Sequence, residues 1–408
     1  MRIFIMTFFL LMLAQSSFAA RILTMEEAEK IFLENSLEIR ALKTGLQRAD
    51  AEVVEARTVS NPALNFSIES LKNGDSETEE TWSLSRSFDL AGKKEKRVEA
   101  ALKGREAEVF FAENRIAGLV AQMKQACSGL LLLRENEKAL REIIALFAEL
   151  EKKTAERVDA GDIAESALMR LTAEKSRVVR EREALLTELE IEKKGLALLL
   201  NISPEEFELA DEAAYTPPSF FLEELESAAL ENRPDIRGRA SALKAAEASL
   251  AFARREAIPS PEIEAGYKRR TGGFSGFVFG LSVPLPLFDR NQGGIARAAA
   301  ALEEERISLE LMKKGAVNEV SVFFSKIRSL EATIADISRQ LGRSRELTRI
   351  AAISYEEGEA GMLDLLDALR SEKELTMEHN RAVHELRAAV FGLGKATGTK
   401  PAGKGGAQ

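Results

Sequence analysis

The chain has 408 residues, of which 45% are hydrophobic and 30% are charged, and its formal net charge is −9. This composition excludes global disorder and a polytopic helical membrane protein. The acidic balance argues against a nucleic-acid partner, which would favour a basic face. One cysteine and two histidines exclude an intrachain disulfide and most metal or catalytic centres built on these residues. With no catalytic or cofactor motif present, we expect neither an enzyme nor a bound cofactor or metal.

Residues 1–20 have the pattern of a secretory signal peptide. Arg2 precedes an apolar run at 3–13, and Ser17-Phe-Ala19 is a small-x-small cleavage pattern. The run is shorter than the ~20 residues that a membrane-spanning helix needs. The mature protein is therefore predicted to lie beyond the inner membrane.

The rest of the chain is an internal duplication with one offset of 197 residues. Glu34-Asn-Ser-Leu-Glu-Ile-Arg40 is similar to Glu231-Asn-Arg-Pro-Asp-Ile-Arg237, and Leu84-Ser85 aligns with Leu281-Ser282. One offset kept at separate places indicates two copies of a structural unit. The predicted domains are a first repeat at 21–203, a Pro-rich acidic linker at 204–218, a second repeat at 219–393 and a disordered tail at 394–408.

Each repeat is predicted to contain helices, a β-hairpin and a very long helical pair. No proline occurs at 63–203 or 287–400, and both stretches have helical periodicity. A helix over Gly92–Glu156 would be ~98 Å long at 1.5 Å per residue. We expect each pair to reverse at a glycine, Gly161 in the first repeat and Gly358 in the second.

The two hairpins are predicted at about 62–90 and about 260–288, where apolar and polar residues alternate. Each strand is about as long as an outer-membrane strand. The predicted lipid-facing side chains are Trp82, Phe277, Phe279 and Leu281. Four strands cannot close a barrel alone, and open edges in lipid are costly, so a membrane location would require three chains and twelve strands. Two surface hairpins on a soluble protein are the alternative.

Four motifs stand out along the mature chain: Asn61-Pro62, Asp89-Leu-Ala-Gly-Lys93, Pro284-Leu-Pro-Leu-Phe-Asp-Arg-Asn-Gln-Gly293 and Tyr355-Glu-Glu-Gly-Glu-Ala-Gly-Met-Leu-Asp-Leu-Leu-Asp-Ala368. In this order, and with the duplication, they resemble the TolC-type outer-membrane efflux family across nearly the whole mature chain. The resemblance implies a mainly α fold with a small β part: a homotrimer with a shared 12-stranded transmembrane β-barrel and a periplasmic α-helical barrel.

The resemblance also implies a location and partners. Family members are exit ducts in the outer membrane of Gram-negative-type cells, with a large periplasmic part. They work with a periplasmic adaptor protein and an inner-membrane transporter of the RND or ABC type. The stretch from Phe288 to Gly293 looks closest to the cation and heavy-metal efflux branch. A drug-efflux or type I protein-secretion outlet, or a soluble periplasmic coiled-coil protein, are the alternatives.

Asp364 and Asp367 are the candidate site at the periplasmic end. They are three residues apart and share a helix face, so in a trimer they would form two rings of carboxylates that select cations. The resemblance implies that this ring closes the duct and that Tyr355 helps to hold the closed state. The alternative is that both are ordinary helix-start acids, favoured by the helix dipole.

The seal at this end is predicted to be apolar. The best-known gate of the family has an arginine where this chain has Ala360 and an acid where it has Ala167, so that polar latch is predicted to be absent. Leu363 and Leu366 are the predicted replacement. The turns at Gly161 and Gly358 are the predicted adaptor contacts.

Overall fold

The computed structural model describes residues 21–73, 75–210 and 221–399. The predicted signal peptide at 1–20 and residues 400–408 of the predicted tail lie outside the described residues. The first repeat contains β1 (Arg21–Leu23), α1 (Met25–Asn35), α2 (Leu37–Arg57), β2 (Ala63–Asn73), β3 (Asp75–Ser87), α3 (Lys93–Asp159) and α4 (Glu165–Leu200). A 3-10 turn (Pro204–Glu206) and β4 (Phe207–Leu209) follow, and then α5 (Leu222–Asn232), α6 (Pro234–Glu256), β5 (Glu262–Arg270), β6 (Ser275–Ser282), α7 (Gln292–Glu356) and α8 (Met362–Thr397). The prediction of a mainly α-helical chain with a small β part is confirmed.

The helices of the two repeats have the same 197-residue offset as the sequence motifs. α1 begins at Met25 and α5 at Leu222, and α4 and α8 share this offset at both ends. Each of these two helices is followed by a residue in the left-handed region, Asn201 (φ 54°) or Gly398 (φ 67°). The duplication therefore extends to the backbone conformation that ends a helix.

α3 is one uninterrupted helix of 67 residues, about 100 Å long. Asp89 caps its start, because its carboxylate accepts a hydrogen bond from the backbone N–H of Lys94 (2.7 Å). One window of α3 has the length and composition of a membrane-spanning helix, and 39% of it is buried inside the chain. Core helices of soluble proteins pass the same test, and α3 contributes Met123, Leu140 and Phe147 to the core.

The chain divides into two compact units. The first unit comprises residues 21–36, 122–210 and 330–388. Its apolar cluster includes Leu140 and Phe147 of α3, Leu171 of α4, Tyr355 of α7 and Leu365 of α8, so all four long helices contribute to it. Packing of these apolar faces, rather than helix propensity, accounts for most of the stability of such helices.

The second unit comprises residues 37–121, 221–329 and 389–399. It holds a buried ionic cluster at the start of α6, where Arg233 makes two hydrogen bonds to Asp235 (2.8 and 3.0 Å) and one to Glu319 (2.5 Å). Arg233 also donates to the carbonyl oxygen of Ala396 (3.2 Å). Burial raises the pKa of Asp235, but the bonds from Arg233 outweigh this effect and hold that pKa below its ordinary value.

Two boundaries predicted from composition are wrong. The start of the segment predicted as a linker forms β4, which pairs in parallel with β1, and Phe207 is buried. The predicted tail begins too early, because α8 continues to Thr397, where Ala396 and Thr397 are buried. Composition failed at both places because burial of a few side chains outweighed the local Pro, Gly and Lys content. Residues 211–220 of the predicted linker lie outside the described residues.

Candidate functional site

The hairpins of the two repeats form one antiparallel sheet with the order β2-β3-β5-β6. β3 of the first repeat pairs directly with β5 of the second, with Trp82 opposite Tyr267. Each repeat alone supplies only a two-stranded hairpin, which is marginally stable. Pairing of the repeats thus produces a four-stranded sheet, which exceeds the three strands needed for independent stability.

One face of this sheet is apolar and exposed across all four strands. Phe66, Trp82, Tyr267 and Phe277 lie in one row of the register. The rings of Phe66 and Trp82 lie 4.2 Å apart, and those of Tyr267 and Phe277 lie 5.8 Å apart, edge to face. The neighbouring row includes Phe279. The exposed fractions of the predicted lipid-facing residues are Trp82 51%, Phe277 80%, Phe279 79% and Leu281 70%.

The opposite face is polar and internally hydrogen-bonded. Asn65 donates to the hydroxyl of Ser85 (3.2 Å), and the hydroxyl of Ser83 donates to Glu264. Further along the strands, Lys268 forms an ion pair with Glu79 (2.6 Å). An apolar face opposite a polar face is the pattern of a strand set that separates lipid from water.

Both edges of the sheet are open in the single chain. Among the described residues, β2 pairs only with β3, and β6 pairs only with β5. An apolar, exposed sheet with two open edges is prone to pair with another chain. Both outer strands of the sheet are therefore available for pairing.

The two helix turns of the first unit have the same hydrogen-bond pattern in both repeats. Gly161 (φ 81°) and Gly358 (φ 80°) occupy the left-handed region that glycine favours. The N–H of Asp162 donates to the carbonyl oxygen of Arg157 (2.9 Å), and the N–H of Glu359 donates to that of Ser354 (2.8 Å). We name residues 157–162 and 354–359 the paired turns.

Tyr355 connects the paired turns. Its hydroxyl lies 3.1 Å from the hydroxyl of Thr154, and its carbonyl oxygen accepts a hydrogen bond from Arg157 (2.6 Å). The guanidinium of Arg157 also lies over the Tyr355 ring, 5.4 Å from its centre. An ion pair between Lys153 and Glu356 (2.6 Å) joins the same two helices. α3 and α7 are thus held together by polar contacts near their turns.

These contacts involve residues that the sequence analysis missed. Thr154, Arg157 and Lys153 lie about two hundred residues from their partners in α7. Sequence spacing gives no signal for such pairs, although the repeat offset places both segments in the last turns of equivalent helices. A polar link is present at this end, but not at Ala360 and Ala167, where the sequence analysis considered one.

The four residues predicted beside the turns are placed differently from one another. Asp364 and Asp367 are exposed. The carboxylate of Asp364 accepts from the N–H of Gly361 (3.2 Å), and that of Asp367 lies 3.5 Å from Arg370. Leu363 is 57% exposed, whereas Leu366 is 3% exposed and packs in the core of the first unit.

The predicted apolar seal therefore needs correction. Leu366 is already covered by the chain's own helices, so it cannot pack against another chain with Leu363. The two residues are three positions apart in α8, but only Leu366 packs in the core. The hydrogen bond from Gly361 places the Asp364 carboxylate at the start of α8, where the helix dipole favours an acid, and the carboxylate ring stays a prediction.

A two-faced sheet with open edges, two helical hairpins from a duplication and exposed carboxylates beside the turns define a class of protein. They are the features expected of a membrane duct. Within the described residues, no group of three or more His, Cys, Asp or Glu side chains is placed to hold a metal ion.

Comparisons with known proteins identify the family. Residues 225–399 match the family model described as outer membrane efflux protein. The match covers the second repeat, and the predicted resemblance to TolC-type efflux proteins is confirmed. The chain is thus similar to a family of efflux ducts.

Relatives and solved structures extend the similarity to both repeats. The cobalt-zinc-cadmium resistance protein CzcC of Cupriavidus metallidurans is 26% identical over 365 residues, which is 86% of this chain and 84% of that protein. The nickel and cobalt resistance protein CnrC of the same organism is 25% identical over 69% of each chain. The solved outer-membrane channel OprN has a TM-score of 0.80 at 22% identity, with 92% of this chain and 90% of that chain covered, and supports the fold.

Proposed function

We propose that this protein is the outer-membrane exit duct of a tripartite efflux system and that its cargo is heavy-metal cations. The observation that carries the proposal is the four-stranded sheet, which combines an exposed apolar face with two open edges. Such a sheet is suited to lipid only when its edges are closed. The match to the outer membrane efflux family supports the same location.

The duct is a homotrimer in this proposal. Three copies would supply twelve strands, joined between β6 of one chain and β2 of the next, and would form one transmembrane barrel in the outer membrane of a Gram-negative-type cell. Trp82, Phe277, Phe279 and Leu281 would then face lipid. The long helices of the three chains would continue the duct through the periplasm.

Heavy-metal cations are the cargo that the relatives favour. CzcC is named for cobalt, zinc and cadmium, and CnrC for nickel and cobalt. Asp364 and Asp367 add a chemical argument, because three exposed copies of each would concentrate cations at the entrance. The cations are cargo, and no resident metal is part of the proposal.

The paired turns are the proposed entrance and the proposed contact for a periplasmic adaptor. Tyr355, held by Thr154 and Arg157, would keep α7 close to α3 and thus keep the entrance narrow. The turns at Gly161 and Gly358 would present their exposed acidic neighbours to the adaptor. An inner-membrane transporter of the RND or ABC type would supply the cargo.

The test is mass and pore activity, measured together on protein extracted from outer membranes with detergent. We expect a trimer that conducts ions in a planar bilayer. A protein that needs no detergent and does not conduct would contradict the membrane location, and a conducting species with another number of chains would contradict the trimer. Metal tolerance of a deletion strain, with and without the gene, tests the cargo independently.

A further inference from the structure

In the second unit, hydrogen bonds join the chain segments that connect the sheet to the helices. Arg255 donates to the carbonyl oxygen of Gly92 (2.7 Å), and Lys93 donates to the hydroxyl of Ser260 (2.9 Å). The side chain of Asn291 donates to the carbonyl oxygen of Ala253 (2.8 Å). These contacts join the end of α6 to the starts of α3 and α7. Arg97 of α3 also donates to the carbonyl oxygen of Thr58 (2.7 Å), just after α2. We name residues 88–97 and 283–290, with Arg57 and Arg254, the junction belt.

The part of the junction belt next to the strands is apolar and exposed. Leu90, between β3 and α3, is 76% exposed. Between β6 and α7, the exposed fractions are 74% for Leu285, 65% for Leu287 and 91% for Phe288. Side chains of this size and exposure next to an apolar sheet face mark an interaction surface.

The part next to the helices is basic. The belt contains seven lysine and arginine residues and three carboxylates, in a chain whose net charge is −9. Four of the cations, at positions 93, 94, 96 and 97, lie at the start of α3, where the helix dipole disfavours positive charge. Among the described residues, Arg57, Lys94 and Arg254 form no ion pair. Their charges are therefore available to an anion from outside the chain, Lys94 at the start of α3 and Arg57 and Arg254 in the last turns of α2 and α6.

We propose that the junction belt binds the headgroups of anionic phospholipids in the periplasm-facing leaflet of the outer membrane. The proposal rests on the proposed function, since it requires that the sheet spans that membrane. In both hairpins the order along the chain is strand, exposed apolar residues and then cations, and this is the order of acyl chain, glycerol and phosphate in a lipid. Aromatic and basic side chains are the usual anchors at such an interface. Attraction to anionic lipid adds about fivefold in affinity for each cation near the surface.

The test compares the triple variant Arg57→Gln, Lys94→Gln, Arg254→Gln with a control of equal charge. The control is Lys313→Gln, Lys326→Gln, Arg328→Gln, which removes three exposed cations of α7 far along the chain from the belt. Native mass spectrometry of each purified, full-length protein counts retained phosphatidylglycerol and phosphatidylcholine during titration. We expect the belt variant to bind phosphatidylglycerol at least about tenfold more weakly, while the control and the binding of phosphatidylcholine stay unchanged.

Three outcomes would overturn the inference. Equal weakening in both variants would assign the effect to net charge, and unchanged binding in the belt variant would remove the site. Displacement of phosphatidylglycerol by inorganic phosphate alone would make the belt a simple anion site. Pore conduction by the same samples separates this test from the proposed function: a belt variant that conducts normally leaves the duct intact, whereas a wild-type protein that does not conduct contradicts the duct itself.

Discussion

The two repeats share one backbone frame but use it differently. Their short helices, their long helical pairs and their glycine turns keep the 197-residue offset. The side chains at equivalent positions differ where contacts matter. Arg233 and Asp235 of the buried ionic cluster correspond to Ser36 and Glu38, and Glu38 is exposed. The frame is thus fixed by turns and apolar periodicity, and the specialised contacts are added to one copy.

The same asymmetry occurs beside the paired turns. Asp364 and Asp367 of the second repeat correspond to Ala167 and Arg170 of the first. Tyr355 corresponds to Val158, which has no hydroxyl to offer. The carboxylates and the tyrosine therefore belong to the second repeat, and the first repeat supplies the residues that hold it, Thr154 and Arg157. The two repeats thus supply different residues to the same set of contacts.

The largest expected effect comes from the ionic cluster that only the second repeat has. Asp235→Ala leaves the buried Arg233 without its bidentate partner, and we expect a loss of about 3–5 kcal/mol in the free energy of unfolding. The equivalent change in the first repeat, Glu38→Ala, removes an exposed carboxylate and should change it by less than about 0.5 kcal/mol. Denaturant melts of both variants in detergent measure the difference, and equal losses would contradict the asymmetry.

The pH dependence of the same site has a definite sign. Because the pKa of Asp235 is lower in the folded chain than in the unfolded one, its contribution is fully present above the unfolded value, about 3.9. It is lost as the pH falls through the lower, folded value. Denaturant melts over this acidic range should therefore show that the free energy of unfolding of Asp235→Asn varies less with pH than that of the wild type.

The next largest effect is expected from arginine substitutions on the apolar face of the sheet. The two repeats should respond alike to these substitutions. Phe279 and Trp82 are equivalent positions on the apolar face. Arginine at either position should cost roughly 2–4 kcal/mol near the middle of a bilayer and reduce the yield of assembled protein in the outer membrane. Ser282→Arg, on the opposite face of β6, is the matched control. Normal assembly of Phe279→Arg would place this face away from lipid.

Much of the fold could be predicted from the sequence because its determinants are local or periodic. The long helices follow from two proline-free stretches, their turns from Gly161 and Gly358, and the strands from alternation of apolar and polar residues. The duplication checks each of these predictions twice. The strand at Phe207–Leu209 was not predicted, because three residues are too few to show an alternating pattern. Its pairing with Arg21–Leu23 explains why it forms.

The candidate site was less predictable because it depends on contacts between distant segments. Spacing predicted that Asp364 and Asp367 share a helix face, but it could not show that Leu366 is buried by other helices while Leu363 is not. The contacts of Tyr355 with Thr154 and Arg157 cross about two hundred residues of sequence. A single sequence does not reveal contacts between residues this far apart along the chain.

A smaller effect is expected from the link between the repeats at their turns. Arg157→Gln removes a charged hydrogen bond to the Tyr355 carbonyl, a change of about 1–2 kcal/mol. If this link keeps the entrance narrow, the ratio of open to closed duct should rise about tenfold. Single-channel recordings in planar bilayers measure that ratio. Ser354→Ala, at the equivalent position of the second repeat, is the control, and an unchanged ratio in Arg157→Gln would exclude this contact from gating.

The smallest effect is a change in ion preference without a change in stability. Asp364→Asn with Asp367→Asn removes two exposed carboxylates per chain, and we expect a severalfold decrease in the permeability of cations relative to anions in planar bilayers. Glu165→Gln with Glu357→Gln removes the same charge near the paired turns, one from each repeat. If both double variants lower the preference equally, general surface charge is the cause and the carboxylates form no selective ring. If only Asp364→Asn with Asp367→Asn lowers the preference, the ring belongs to the second repeat alone. Arg170→Asp then asks whether the first repeat, given the same carboxylate, can contribute to the same entrance.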